Sequence, residues 1–294
     1  MNSPFRVSVI TDELTQDFGR ALEIASLDFG LDWVELRGMW NKNLMRLDAK
    51  EIEEARRLLE RYRLRVSDLA SPLFKVDWPG APRSKFSPQR RDQFGADFTF
   101  EQQDEVLERG LELARVFRTD RLRCFDFWRL DDPAPYRAAM DTKLLQAATK
   151  AGNKGMILLL ENEHDCNTAT GVEGVRTLNA VRSPYFKLNW DPGNAAMHGE
   201  TPYPDGYDRL PKDRIGHVHC KDVARKPDGT GYEWAAMGRG LIDWVGQFRA
   251  LKRDDFHNAI SLETHWRGAG TAEESTRQSM AGMKEQLRKA GALS

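Results

Sequence analysis

The sequence predicts an α/β fold, a single (β/α)8 TIM barrel, and three observations support this prediction. Eight short runs rich in apolar and β-branched residues recur along the 294 residues, and helical stretches separate them. This alternation implies parallel strands joined by right-handed crossovers. The last four runs each lead into an acidic residue or a histidine, as expected where barrel strands open onto a site. A doubly wound open sheet is the alternative, but no Gly-x-Gly-x-x-Gly motif follows the first strand.

The first half of the chain supplies four predicted strands, over 6–11, 32–38, 65–74 and 120–128. The helix predicted over 47–64 is the clearest, because its apolar residues recur at i, i+3 and i+4 and Asp48 can cap its first turn. Gly30 predicts the end of an earlier helix, and a further helix is expected over 97–118. Residues 75–96 carry three prolines and little periodicity, which predicts a long loop of the kind that often serves function.

In the second half, the strongest predicted strand runs from Ile157 to Glu163, where an apolar run passes directly into two carboxylates and an amide. Three later strands repeat this plan over 186–194, 215–222 and 259–266. The predicted helices cover 131–152, 171–181, 241–253 and 271–291. A short helix or turn over 204–213 and a glycine-rich loop over 223–240 complete the chain. We expect residues 1–294 to form one domain.

The composition excludes several classes of protein. Hydrophobic residues make up 40% of the chain and charged residues 30%, and the formal net charge is −1, which is typical of a soluble globular protein. No block of lysine or arginine predicts a surface for nucleic acid, and no apolar run approaches the roughly 20 residues of a membrane helix. Cys124, Cys166 and Cys220 form no Cys-x-x-Cys pair, so we expect reduced thiols. Because no secretion signal is present, we predict a cytoplasmic protein.

Four polar residues mark the ends of the last four predicted strands: Glu161, Asp191, His219 and Glu263. In a barrel these strand ends converge on one mouth. A single polar residue at a strand end often serves only as a cap, but four in succession would bring mutually repelling carboxylates together. A bound cation would compensate them, so we predict one divalent metal ion held by these residues. Three carboxylates and one imidazole suit Mn²⁺ or Mg²⁺ best, with Co²⁺ or Zn²⁺ as alternatives.

Further polar residues near the predicted strand ends are candidates for substrate binding. On the seventh strand, His217 and His219 share one face, whereas Cys220 faces the helices and is expected to serve packing. Glu13 and Arg37 end the first two strands and are expected on the opposite wall of the mouth. Each candidate also has an ordinary interpretation as a surface or loop residue. The predicted substrate contacts are His217, Asn194, Lys221, His265, Arg267 and Arg37.

The segments LLLEN, NWDPGN, HVHCKD and SLETHW, in this order, resemble the xylose isomerase-like TIM barrel superfamily. More narrowly, they are similar to its sugar phosphate isomerase/epimerase branch, which includes ketose 3-epimerases and inosose dehydratases. TDELTQDF and WVELRG near the start fit the same group. The resemblance implies the same four metal ligands, with His219 chosen because the x-Lys-Asp step follows it. Two positions depart from the ketose 3-epimerases, which carry a histidine where this chain has Asn194 and an arginine where it has Val223.

The resemblance also implies an activity: proton abstraction next to a carbonyl through a metal-stabilised enediolate. The expected protein is an isomerase or epimerase of a sugar, sugar phosphate or keto-polyol, with Glu161 and Glu263 transferring protons on opposite faces of the substrate. The first alternative is a dehydratase (lyase) of a keto-polyol or dehydro acid. The others are an apurinic endonuclease-like nuclease and a non-catalytic sugar-binding barrel. The expected partner is a small sugar or polyol, without nucleic acid or membrane, and a homo-oligomer is left open.

Overall fold

Eight parallel strands form the centre of the structure, a computed structural model that describes residues 2–87 and 97–294. In chain order the strands, β1 to β8, are Arg6–Val9, Trp33–Leu36, Arg65–Leu73, Arg121–Cys124, Ile157–Glu161, Phe186–Trp190, Ile215–Cys220 and Ala259–Leu262. They form one sheet in the order β1-β8-β7-β6-β5-β4-β3-β2. A parallel bridge between Ile10 and Glu35 links the two edges. The sheet is therefore a nearly closed barrel, which confirms the predicted TIM barrel.

Helices lie between the strands and cover the outside of the barrel. Their bounds are Phe18–Glu23, Ala49–Arg61, Gln103–Val116, Arg137–Gly152, Gly171–Ala180, Pro192–Met197, Tyr207–Arg209, Trp244–Arg253 and Ala272–Lys289. Asp48 caps its helix as predicted, because its carboxylate accepts a hydrogen bond from the backbone N–H of Glu51 at 2.9 Å. The Glu51 carboxylate accepts the N–H of Asp48 in return, also at 2.9 Å, which completes a capping box.

The structure differs from the sequence-based expectations mainly in the loops. The predicted loop over 223–240 contains a hairpin, in which Asp222–Arg225 pairs antiparallel with Tyr232–Ala235. Two strands of four residues each, joined by glycine-rich turns, give too weak a period to be recognised in the sequence. Residues 75–87 of the predicted loop over 75–96 contain no regular helix or strand, and residues 88–96 lie outside the described part of the chain.

The inner wall of the barrel is polar, and contacts across the barrel show this directly. Glu35 on β2 lies 3.0 Å from His217 on β7, although these strands are not neighbours in the sheet. Ser8 on β1 lies 3.1 Å from Ser67 on β3 through their hydroxyl oxygens. Buried polar groups are mostly hydrogen-bonded in folded proteins. The interior therefore favours a network of charged and hydrogen-bonded side chains leading to the mouth.

Two further features bear on the class of protein. Cys124, Cys166 and Cys220 are buried and unpaired, as expected for reduced thiols. Burial raises the pKa of the Cys220 thiol well above its ordinary value, which favours a packing role over a reactive one. Among the helices of the described residues, none is both long and apolar enough to cross a membrane.

Candidate metal centre

The four predicted ligands come together at the carboxyl ends of β5 to β8. Glu161 is the last residue of β5, Asp191 follows β6 directly, His219 lies near the end of β7, and Glu263 follows β8 directly. One ligand atom from each residue lies within 4.8 Å of those from the other three. All four are at most 2% exposed. Four adjacent strand ends thus place three carboxylates and one imidazole around a single point.

Local contacts fix Asp191 in this arrangement. Its Oδ1 caps the helix Pro192–Met197 by accepting the backbone N–H of Asn194 at 2.8 Å. Asn162, on the neighbouring strand end, accepts the backbone N–H of Asp191 at 2.7 Å and donates to its carbonyl at 2.8 Å. Gly193, two residues after Asp191, leaves space for Lys221, since a Cβ on Gly193 would lie 2.4 Å from Cγ of Lys221. The other carboxylate oxygen of Asp191 therefore remains directed at the cluster.

His219 lies at the centre of the cluster. Its Nδ1 is 3.2 Å from Oε1 of Glu161, 3.2 Å from Oε2 of Glu263 and 3.6 Å from Oδ2 of Asp191. Burial by itself would lower the pKa of His219, but Glu35, Glu161 and Glu263 raise it well above the ordinary value. The imidazole nitrogen that faces the carboxylates is the one that would ligate a cation.

Lys221 also reaches into the cluster from the end of β7. Its Nζ lies 2.6 Å from Oε2 of Glu263 and 2.9 Å from Oδ2 of Asp191, and the side chain is 1% exposed. Burial lowers the pKa of Lys221, but the surrounding carboxylates raise it above the ordinary value. The ammonium group and His219 thus offset part of the negative charge of the three carboxylates. A divalent cation suits the same donors, because hard cations prefer carboxylate oxygens.

Arginines hold the outer oxygens of the two glutamates. Nη1 of Arg123, on β4, donates to Oε2 of Glu161 at 2.9 Å, and Nη1 of Arg37 donates to Oε1 of Glu263 at 2.6 Å. Arg123 was not predicted as a site residue. The sequence feature that could have indicated it is the pair of arginines at 121 and 123 in the strand RLRC. Both would lie on one face of a barrel strand and give that face two charges. Its partner Glu161 is 38 positions away along the chain.

The opposite wall contains the predicted residues Arg37, Arg267, His265 and Glu13. The guanidinium of Arg37 donates to Oδ2 of Asp12 at 3.1 Å and to Oε1 of Glu13 at 2.6 Å. Nη2 of Arg267 donates to Oε2 of Glu13 at 2.6 Å. Nδ1 of His265 lies 3.5 Å from Oε1 of Glu13. Burial raises the pKa of Glu13, but Arg37 and the nearby cations lower it to about 2. This wall is therefore a compensated network of ion pairs.

The hairpin over 222–235 borders the mouth on another side. Trp234 packs against His164 and His265 with ring centroids 5.9 and 5.1 Å apart, and Nζ of Lys221 lies 5.2 Å from its ring. Asn194 donates to Oε1 of Glu161 at 3.1 Å and so also reaches the cluster. Trp234 was not predicted as a site residue, because nothing in the sequence predicts that its glycine-rich segment folds back over the barrel.

His217 occupies a different position from the other predicted substrate contacts. Its Nε2 lies 3.0 Å from Oε2 of Glu35, and its side chain is fully buried in the barrel interior. The remaining candidates border the four-residue cluster or its wall. Glu35 lies within the second predicted strand and was not predicted as a site residue, since its contacts with β7 cannot be deduced from the local sequence pattern.

Residues 24–286 match the family described as xylose isomerase-like TIM barrel. No curated protein sequence matches the chain. The solved structure of the probable 3-DHS dehydratase AsbF from Bacillus anthracis is 19% identical, with a TM-score of 0.71, over 95% of this chain and 98% of that one. The solved structure of D-allulose 3-epimerase from Methylomonas sp., in complex with D-allulose, is 19% identical, with a TM-score of 0.69, over 98% of this chain and 97% of that one. The structure of a xylose isomerase-like TIM barrel protein from Mycobacterium smegmatis, in complex with magnesium, is 17% identical, with a TM-score of 0.69, over 99% of this chain and 98% of that one.

Proposed function

The chain belongs to the xylose isomerase-like TIM barrel family, and from this premise we propose that it is a divalent-metal-dependent isomerase or epimerase. The substrate class is a sugar or a related polyol ketone, phosphorylated or not. The proposed reaction begins with removal of a proton from the carbon next to a carbonyl. The similar structures include an epimerase with bound D-allulose, which supports a small polyhydroxylated substrate for this fold.

The convergence of Glu161, Asp191, His219 and Glu263 carries this proposal. Their ligand atoms lie within 4.8 Å of one another at the barrel mouth. This mostly oxygen donor set suits Mn²⁺ or Mg²⁺, with Co²⁺ or Zn²⁺ as alternatives. A bound divalent ion would polarise the substrate carbonyl and so acidify the neighbouring C–H group.

Glu161 and Glu263 are the proposed proton-transferring residues. Each has one oxygen held by an arginine, Arg123 for Glu161 and Arg37 for Glu263, and the other oxygen directed at the cluster. Burial raises the pKa of both carboxyls, but the surrounding cations lower it below the ordinary value. Both are therefore ionised at neutral pH. Such weak bases remove a proton only from a carbon that is already acidified, which explains why the scheme needs a polarised carbonyl.

Cationic and neutral polar side chains around the mouth are proposed to bind the oxygens of the substrate. Lys221 lies within the cluster, and His265 and Arg267 lie on the wall formed with Glu13. Asn194 can donate to a hydroxyl oxygen beside Glu161. Trp234 packs on His265 and would restrict how the ring or chain of a substrate enters. These contacts hold the C–H group in reach of a carboxylate, and such positioning lowers the barrier by itself.

A dehydratase is the second candidate, and the position of Lys221 favours it. Its Nζ lies 2.6 Å from Oε2 of Glu263, so a protonated amine stands beside a carboxylate base. Glu263 would remove the proton next to the carbonyl, and Lys221 would give a proton to the β-hydroxyl. The electron pair of the broken C–H bond forms the new double bond, and the hydroxyl leaves as water. Epimerisation instead returns a proton to the same carbon.

The test is a substrate screen in D2O with Mn²⁺-loaded protein, followed by NMR and mass spectrometry of the products. Ketoses, ketose phosphates, keto-polyols and dehydro acids form the panel. Incorporation of deuterium at the carbon next to the carbonyl, with no other change in mass, supports an epimerase or isomerase. Loss of water from the substrate supports the dehydratase. Turnover that persists after chelation of all metal would overturn the proposal.

The residue assignment is tested with E161Q and E263Q. Each should lower kcat by roughly 10²–10⁴-fold, the usual contribution of a positioned acid or base. E53Q is a matched control, because Glu53 lies on the exposed face of the helix Ala49–Arg61. Full activity in both E161Q and E263Q would exclude the two-glutamate scheme.

A further inference from the structure

Glu35 lies directly below the proposed metal centre, inside the barrel. Its Oε1 is 3.0 Å from Nε2 of His219, and its Oε2 is 3.0 Å from Nε2 of His217. All three side chains are fully buried. The pairing of β2 with β3 shifts register between Val34 and Glu35, which marks an irregularity at this position. Such irregularities re-aim a side chain, and here the carboxylate reaches β7 across the barrel.

We infer that Glu35 is a positioning residue that holds His219 in the orientation and tautomer needed to ligate the metal. This inference rests on the proposed metal-dependent function. An ionised carboxylate is only an acceptor, so the Nε2 of His219 that it contacts must carry a proton. The lone pair of the neutral ring is then on Nδ1, the nitrogen that faces Glu161 and Glu263. A carboxylate that accepts from the distal nitrogen of a ligating histidine also makes that ligand more basic.

Asn189 makes a second contact with the same nitrogen. Its amide nitrogen lies 3.1 Å from Nε2 of His219, and its Oδ1 has no hydrogen-bond partner among the described residues. The nitrogen and oxygen of an amide exchange places when the group turns over. With the oxygen towards His219, Asn189 becomes a second acceptor for the Nε2 proton. Both neighbours then favour the same tautomer.

His217 serves as the anchor on the other oxygen of Glu35. A carboxylate buried in a barrel needs partners, since an unpaired charge there is costly. His217 supplies one partner and His219 the other, so Glu35 cannot rotate away without losing both contacts. This arrangement gives the deeply buried His217 a role that does not require it to reach the mouth.

Asp68 provides a matched control for the alternative that any change to a buried carboxyl in the barrel interior weakens metal binding. Asp68 pairs with Glu35 in the register of β2 and β3 and is equally buried. Neither of its carboxylate oxygens has a hydrogen-bond partner among the described residues. A general disturbance of the interior would follow substitution of either carboxyl, whereas positioning of His219 depends on Glu35 alone.

The test is titration calorimetry with Mn²⁺ on wild type, E35Q and D68N. The E35Q amide can present only one acceptor oxygen to two histidines, so Mn²⁺ binding should weaken about 10–100-fold, as is usual for loss of such a partner. D68N should bind Mn²⁺ like wild type. Unchanged affinity in E35Q, or equal loss in D68N, would overturn the inference while leaving the proposed function intact. Wild-type protein that binds no Mn²⁺ would instead refute the proposed function and the inference with it.

A second measurement does not depend on the stability of any variant. In the Zn²⁺-loaded wild type, ¹⁵N NMR of the histidine rings should show a protonated Nε2 and a metal-bound Nδ1 for His219. The opposite assignment, with Nδ1 protonated or Nε2 bound to zinc, would overturn the role of Glu35 even if E35Q fails to fold.

Discussion

At the scale of single residues, the charges around the candidate site are buried yet almost fully paired. Arg37 is the clearest case, since it donates to Asp12, Glu13 and Glu263 while only 7% of its side chain is exposed. Removing one partner of such a buried pair typically costs about 3–5 kcal/mol, whereas an exposed pair contributes roughly 0–1 kcal/mol. Arg37 therefore serves first to hold the carboxylates in place, and any contact with substrate is added to that role.

Asp68 is the exception to this pairing and leads to a prediction about pH. Burial and the neighbouring Glu35 raise the pKa of Asp68 to about 8 in the folded protein, above the ordinary value of an unfolded chain. Folding therefore carries no penalty from this group below the unfolded pKa, and the penalty grows as pH rises until it is complete above pH 8. D68N removes it, so the variant should gain stability over wild type by up to about 1.4 kcal/mol per pH unit between these limits.

Chemical denaturation of wild type and D68N at pH 5, 7 and 9 checks this prediction. The difference in the free energy of unfolding should grow from pH 5 to pH 7 and change little beyond pH 8. A constant difference, or one that shrinks as pH rises, would show that the Asp68 carboxyl is not held in its neutral form.

At the scale of elements, the hairpin over 222–235 and the residues that follow it to Gly240 form one segment beside the site. Asp222 holds this segment, because its carboxylate accepts backbone N–H groups from Val223, Gly238 and Gly240 at 2.9, 2.9 and 3.0 Å. The backbone of Gly240 lies close to the Asp222 carboxylate, since a Cβ on Gly240 would lie 2.1 Å from Oδ1 of Asp222. One carboxylate at the end of β7 thus fixes the loop that places Trp234 at the barrel mouth.

The variant D222A should release this loop. Four backbone N–H groups, the fourth being that of Ile242, lose their acceptor. Amide hydrogen exchange over 223–242 should therefore accelerate while the barrel strands keep their protection. Under the proposed function, KM should rise because Trp234 no longer restricts the mouth. D228A is the control, because in the described part of the chain the Asp228 side chain bonds to Thr230 within its own exposed turn. Unchanged exchange in D222A would show that other contacts hold the loop.

At the scale of the whole molecule, the order of elements and the four-residue cluster could be predicted, but the network around the cluster could not. Strand ends in a TIM barrel lie on one face, so Glu161 and Glu263 follow from the position of each strand. The partners of these residues depend on which inward side chains meet across the barrel. Arg37 and Glu263, for example, are 226 positions apart. No local period encodes such a pairing, which is why Arg123 and Glu35 were missed as parts of the site.

A metal ion at the proposed site should also change the stability of the whole fold. The four proposed ligands come from four strands, so an ion that binds only the folded barrel must stabilise the whole of it. At a free Mn²⁺ concentration of 100 times Kd, the gain is about 2.7 kcal/mol, which corresponds to a Tm increase of roughly 4–5 °C for a chain of this length. This gain is net of any contacts of Lys221 with Glu263 and Asp191 that the ion replaces. Calorimetric melting with Mn²⁺, and again after EDTA, measures it. D191N should lose most of the increase and E53Q should keep it, whereas an equal increase in D191N would place the ion elsewhere on the protein.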